Sequence, residues 1–166
     1  MPTLYIDADA CPVTREALDC ARKARIPCVI TGDSGHNLLK HVRASDPTEP
    51  RDGFWVRTIC VQQGQDSAHF AIVCELEPGD VVVTQDMGLA AMALGRGAQT
   101  IGVRGEVYDK YTIDALLLVR HAEKEARRNP RRHSSPKGGP RAFTSADRKR
   151  FRVRLSELLG ELLAKC

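Results

Sequence analysis

The chain has 166 residues, of which 42% are hydrophobic and 28% charged. This is ordinary globular composition, long enough for one domain to bury a core without disulfides. No apolar run approaches the ~18 residues of a membrane span and no leader-like segment opens the chain, so a soluble cytoplasmic protein without a membrane partner is expected. The net charge of +4 hides an asymmetry: residues 1–103 hold 9 Lys+Arg against 13 Asp+Glu, and residues 104–166 hold 16 against 8. An acidic half with a basic tail suits a metal centre beside a nucleic-acid track, although an exposed basic helix produces the same imbalance.

The 6 cysteines show no CxxC or Cys/His spacing of a metal site, and most sit in apolar runs where a free thiol packs as a small hydrophobe. Cys11, beside a helix start, is the one whose pKa is expected to be lowered, though a structural role fits it better than a nucleophilic one.

In chain order, Leu4, Tyr5 and Ile6 form a first strand that ends at Asp7 and Asp9. Pro12 fits the first position of a helix over 13–25, in which Val13, Ala17, Cys20, Ala21 and Ala24 recur at helical spacing. Residues 28–30 make a second strand, followed by Thr31-Gly32-Asp33. A polar stretch over 34–53 has room for a short helix at 37–44, and 55–61 is a third strand rich in β-branched and aromatic residues. After a turn at 62–66, a helix is expected over 67–76 with Asp66 at its N-terminal end. The continuous apolar run 81–83 suits a central parallel strand and ends at Thr84-Gln85-Asp86.

A short helix at 89–94 and a fifth strand at 100–103 follow. Thr112 is read as the N-cap of a long helix through Arg128. Residues 129–143 form a basic, Pro/Gly/Ser-rich loop that is expected to be mobile. The last helix opens on Thr144-x-x-Asp147, a capping-box pattern, and sets Phe151, Leu155, Leu158, Leu159, Leu162 and Leu163 on one face.

Strands alternating with helices predict an α/β fold around a parallel five-stranded sheet, taken in the order 3-2-1-4-5. The expected units are a domain over 1–128, the basic loop, and a C-terminal helix over 144–166 docked on the same domain. In that order strands one and four are neighbours, and their carboxyl ends form the crevice where open α/β sheets bind ligands. Asp7, Asp9 and Asp86 then converge there, with Asp66 overhanging and Thr84 beside Asp86. Carboxylates so close repel unless a cation joins them or a pKa rises, and hard oxygen donors select Mg²⁺ or Mn²⁺. Helix capping and solvation are the plainer account of each acid taken singly.

The segments IDADACP (6–12), GDVVVTQDMGLA (79–90) and GGPRAFTSADRKRF (138–151) resemble the YaiI/YqxD family of small bacterial proteins, which is similar to PIN-like and NYN-like nuclease domains. The resemblance covers essentially the whole chain. It implies a three-layer α/β/α, PIN-like fold with Asp7, Asp9, Asp66 and Asp86 on the acidic positions of the sheet edge and Thr84 beside them. Many relatives carry a second Asp three residues after the Asp66 position. Here His69 stands there, either as a ligand better suited to Mn²⁺ than to Mg²⁺ or as a plain surface residue.

Residues 120–154 hold 13 Lys+Arg against 3 Asp+Glu. Arg127, Arg128, Arg131, Arg132, Lys137, Arg141 and Arg148 have the arrangement of a phosphate-backbone clamp, while only Phe143 and Phe151 are nearby aromatics. Three functions fit. The leading one is a divalent-metal-dependent nuclease acting on RNA or single-stranded nucleic acid. The second is a phosphohydrolase like the haloacid-dehalogenase group, with Asp7 as nucleophile, Asp9 as general acid/base and Thr31 on the phosphate. The third is a non-catalytic nucleic-acid-binding module. Oligomeric state is open, with a homodimer through Leu158 to Leu163 one option.

Overall fold

A computed structural model describes residues 1–9, 11–33, 38, 54–61, 67–128 and 141–165. Within them run β1 (Leu4–Asp7), α1 (Thr14–Ala24), β2 (Cys28–Asp33), β3 (Val56–Val61), α2 (Ser67–Glu75), β4 (Val81–Val83), α3 (Met87–Gly95), β5 (Gln99–Ile101), β6 (Val107–Tyr108), α4 (Lys110–Arg128) and α5 (Ser145–Lys165). No described helix is long and apolar enough to cross a membrane.

The sheet is six-stranded, in the order β3-β2-β1-β4-β5-β6. The expected five-stranded, wholly parallel sheet is therefore corrected: β6 adds an antiparallel edge, pairing Ile101 with Val107 and Thr100 with Tyr108. A two-residue strand is too short to carry a periodic signal. It exists because a tight turn returns the chain onto β5, with Gly102 N–H donating to the Glu106 carbonyl (2.7 Å) and Gly105 N–H to the Gly102 carbonyl (2.9 Å). Gly105 has a φ of +89°, which side-chain-bearing residues seldom adopt.

β1 pairs in parallel with β2 on one side and with β4 on the other, Ile6 aligning with both Ile30 and Val83. Both strand faces are covered, which explains why β1 and β4 are buried at every position. Leu4, Ile6, Ile30, Val81 and Val83 point to one side, against Val13, just before α1, Ala17 of α1, and Phe151, Leu155 and Leu159 of α5. Tyr5, Val29 and Val82 point to the other, against Ile72 and Leu76, and Leu89 and Ala93 of α3. α4 lies outside α3, joined through Ala90, Leu94 and Ile113. The helices thus flank the sheet on both faces.

Several element ends differ from the sequence expectation. α1 starts at Thr14 with no side-chain cap, so Pro12 precedes the helix instead of opening it. It stops at Arg25, whose left-handed φ of 56° lets its N–H reach back to the Ala21 and Arg22 carbonyls. α4 begins three residues early because Asp109, not Thr112, is its cap: the Asp109 carboxylate accepts from the N–H groups of Tyr111 (2.9 Å) and Thr112 (2.7 Å). The capping box of α5 forms as written, Thr144 N–H donating to Asp147 (2.9 Å) and Asp147 N–H to the Thr144 hydroxyl (3.3 Å). Leu163, expected on the docked face, is exposed. The helix expected at 37–44 and nearly all of the basic loop lie outside the described residues.

Candidate active site at the carboxyl edge of β1 and β4

β1 ends on Asp7, and because Ile6 lies beside Val83, the residue after β4 arrives directly across from it. That residue is Thr84. Its hydroxyl donates to Asp7 Oδ2 at 2.7 Å and accepts from the Asp86 backbone N–H at 2.9 Å. Thr84 is fully buried and Asp7 nearly so. The β1 and β4 ends are thereby tied into one polar chain, with a side-chain hydroxyl as its centre.

Asp86 caps α3: extended at φ −82°, ψ 118°, it accepts the Leu89 N–H at 2.9 Å. Asp9 stands at the end of β2, where a Cβ added to Gly32 would come 3.2 Å from Asp9 Oδ1. Its own N–H faces Asp7 Oδ1 at 3.4 Å. His69, on the first turn of α2, directs Nε2 to within 3.8 Å of Asp7 Oδ2 and is half-buried. It belongs to the site and not to the outer surface. The sequence flagged the position only as a departure from the family pattern.

Burial pushes the Asp7 carboxyl above the ordinary carboxylate range, partly opposed by the Thr84 hydrogen bond and by His69. Charge on Asp7 is therefore costly without a cation nearby. Cys11 does not have the lowered pKa expected of it. Burial pushes its thiol up, which removes the thiolate a nucleophile needs. Thr31, aligned with Asp7 in the β1/β2 register, is fully buried, and its hydroxyl has no partner among the described residues.

The expected acids meet in part. Asp7, Asp9 and Asp86 occupy one edge of the sheet, but among the described residues no three Asp, Glu, His or Cys side chains close into a metal-holding group. Asp66 lies outside the described residues. The side chains that do approach Asp7 are the Thr84 hydroxyl and the His69 imidazole.

The expected phosphate clamp divides similarly. Arg148 donates to the Pro12 carbonyl at 2.6 Å and pairs with Glu16 at 2.8 Å, fastening α5 to the start of α1. Arg141 pairs with the buried Asp147 at 2.6 Å, and Arg104, which sequence reasoning passed over, meets the same carboxylate at 2.7 Å. Only an Arg-Gly turn signal marked Arg104 in the sequence. Arg104 and Arg148 both stack on the Phe143 ring, at 5.3 and 5.2 Å, and Phe151 is buried. Neither ring is open to a base. Arg127 and Arg128 end α4, while Arg131, Arg132 and Lys137 lie outside the described residues.

The family profile described as "Uncharacterized BCR, YaiI/YqxD family" matches residues 5–161. Among curated proteins, a UPF0178 protein of Clostridium acetobutylicum is 36% identical over 156 residues, covering 94% of this chain and 95% of its own. UPF0178 proteins of Bacillus anthracis and Bacillus cereus are 32% and 33% identical over 157 residues, covering 95% of this chain and 98% of theirs. No solved structure matches.

Proposed function

The chain belongs to the YaiI/YqxD family, and from that premise we propose that it is a PIN-like, divalent-metal-dependent nuclease acting on RNA or single-stranded nucleic acid. The observation that carries this reading is Asp7, a carboxyl buried at the end of the central strand, with Thr84, Asp9 and His69 around it. A buried acid with polar neighbours at the switch point of an open sheet belongs to a site more often than to a scaffold. Asp7, Asp9 and Asp86, with Asp66, are the residues that would hold Mg²⁺ or Mn²⁺. Such an ion would supply polarisation of a phosphodiester oxygen and a bound water more acidic than bulk water.

The chain's own part is orientation. Thr84 fixes Asp7 Oδ2, and Asp86 is held by the first turn of α3. Arg127, Arg128, Arg131, Arg132 and Lys137 would draw in the phosphate backbone, while Arg141 and Arg148 act on the fold through their ion pairs. The phosphohydrolase alternative requires the Thr31 hydroxyl to touch phosphate, and Thr31 is wholly enclosed.

Calorimetric titration of Mn²⁺ and Mg²⁺ into the wild type and into Asp7→Asn/Asp86→Asn tests the proposal, followed by cleavage of single-stranded RNA with and without EDTA. Binding abolished by the double substitution, with EDTA-sensitive cleavage, supports it. Failure of the wild type to bind either ion refutes it, as does cleavage that survives Asp7→Asn. RNA binding that depends on salt and ignores EDTA points to the non-catalytic module instead.

A further inference from the structure

α4 is the outermost described helix, packed inward on α3 through Ile113 and Leu117. Its other face carries large apolar side chains that the fold leaves in water: Tyr111 is 89% exposed, Leu118 71% and Val119 56%. Isolated exposed apolar residues are ordinary, but these belong to a pattern. Tyr111, Ala115, Leu118 and Ala122 follow one another at intervals of four, three and four residues, the seam spacing of a paired helix. Two large side chains alternate with two alanines, all four exposed.

We propose that this face pairs with the same face of a second copy of the chain, the two α4 helices running antiparallel. In that alignment Tyr111 of one copy meets Ala122 of the other and Leu118 meets Ala115, so each large side chain lies over a small one. Parallel, in-register pairing would set Tyr111 on Tyr111 and leave the alanines facing each other across a gap. The flanks agree with the antiparallel choice, because the same register places the exposed Asp114 beside His121 of the second copy, twice across the two-fold axis. Parallel pairing would instead set Asp114 against Val119 of the second copy, which offers it no charge.

Segment 129–140, which follows α4, is NPRRHSSPKGGP and contains no large apolar side chain to cover the seam. Of the described residues between β2 and β3, Leu38 and Phe54 pack with α1 and α5 on the opposite side of the sheet, and Trp55 packs against the cluster of Tyr5, Val29 and Ile72. A 19-residue helix is about 28 Å long. Two laid side by side bury roughly 1,000 Å², near the lower bound of specific interfaces. The inference is independent of the reading of the acidic edge.

Sedimentation velocity across low to high micromolar concentrations tests it on the intact chain. The wild type is expected to approach twice 18.3 kDa. Leu118→Glu is expected to weaken association by about tenfold or more, while Val153→Glu, at a comparably exposed apolar position on α5, leaves it unchanged. Both sites face water in the monomer, so circular dichroism should show both variants folded. With Cys60, Cys74 and Cys166 replaced by serine, Asp114→Cys/His121→Cys is expected to form oxidised dimers that neither single cysteine forms. A monomer at every concentration overturns the proposal, including one that instead binds anionic vesicles. So does a dimer that Leu118→Glu leaves intact, or one in which each single cysteine links to itself.

Discussion

Thr84→Val removes one oxygen from the centre of the site and keeps the volume of the side chain. The hydroxyl serves two partners, donating to Asp7 Oδ2 at 2.7 Å and accepting from the Asp86 N–H at 2.9 Å, and it is fully buried. A hydrogen bond to a charged group contributes about 1.5–3 kcal/mol, and leaving a buried N–H unpaired costs about 1–3 kcal/mol. The two losses share one atom and are not additive, so a total of about 2–4 kcal/mol is expected. For a chain of this size that corresponds to a fall in Tm of roughly 5–15 °C. Valine cannot stabilise the Asp7 carboxylate either, so the carboxyl moves further above its ordinary range and affinity for a divalent ion falls at neutral pH. Urea unfolding of Thr84→Val and Thr84→Ser, with calorimetric Mn²⁺ titration of both, measures these effects. Serine keeps the oxygen and should cost only the buried methyl, about 1 kcal/mol. A loss below about 0.5 kcal/mol for valine, or equal losses for valine and serine, would refute the role assigned to the hydroxyl.

Three further outcomes are expected. The folded-state pKa of Asp7 is raised by burial, so the stability this group contributes is full below the ordinary carboxylate value of 3.8 and is lost as pH rises through the folded value. Asp7→Asn should therefore raise Tm at neutral pH in EDTA, with the gain disappearing in acid, and thermal denaturation at pH 3.5 and 7 reads both. Asp147 is opposite in sign: the Arg141 hydrogen bond, with the Thr144 N–H and hydroxyl, holds its carboxyl far below the usual range. Its contribution is present above 3.8 and lost only as pH falls through the lower folded value, so Asp147→Asn should lower Tm at neutral pH and converge with wild type only in strong acid. Gly105→Ala forces a side chain into a φ of +89° and sets its Cβ 3.2 Å from the Arg150 backbone. A loss of about 1–3 kcal/mol in urea unfolding is expected, and no loss would mean that the β5–β6 turn relaxes away from α5.

The apolar runs LYI, CVI and VVV read as central strands because a parallel sheet covered on both faces needs no alternation, and those strands form. The capping box at Thr144 was legible for a local reason, since its donor and acceptor lie three residues apart. The start of α4 was misread because Thr112 has cap chemistry that Asp109 supplied three residues earlier, and α1 begins just past Pro12 with no side-chain cap to mark it.

By itself, then, the sequence determined the segments of β1 to β5 and of α1 to α5, the acids that follow β1 and β4, and the basic character of the C-terminal third. These follow from properties of adjacent residues: hydrophobic periodicity, capping chemistry and charge. Only the tertiary structure decided what those residues touch. Thr84 reaches Asp7 across 77 positions of chain, Arg104 reaches Asp147 across 43, and His69 turns inward onto Asp7. None of these contacts has a sequence signature, because each depends on the register of neighbouring strands and on the packing of a helix across the sheet. The antiparallel β6 and the water-facing seam of α4 arise the same way, from where the chain turns and what the remaining elements leave uncovered.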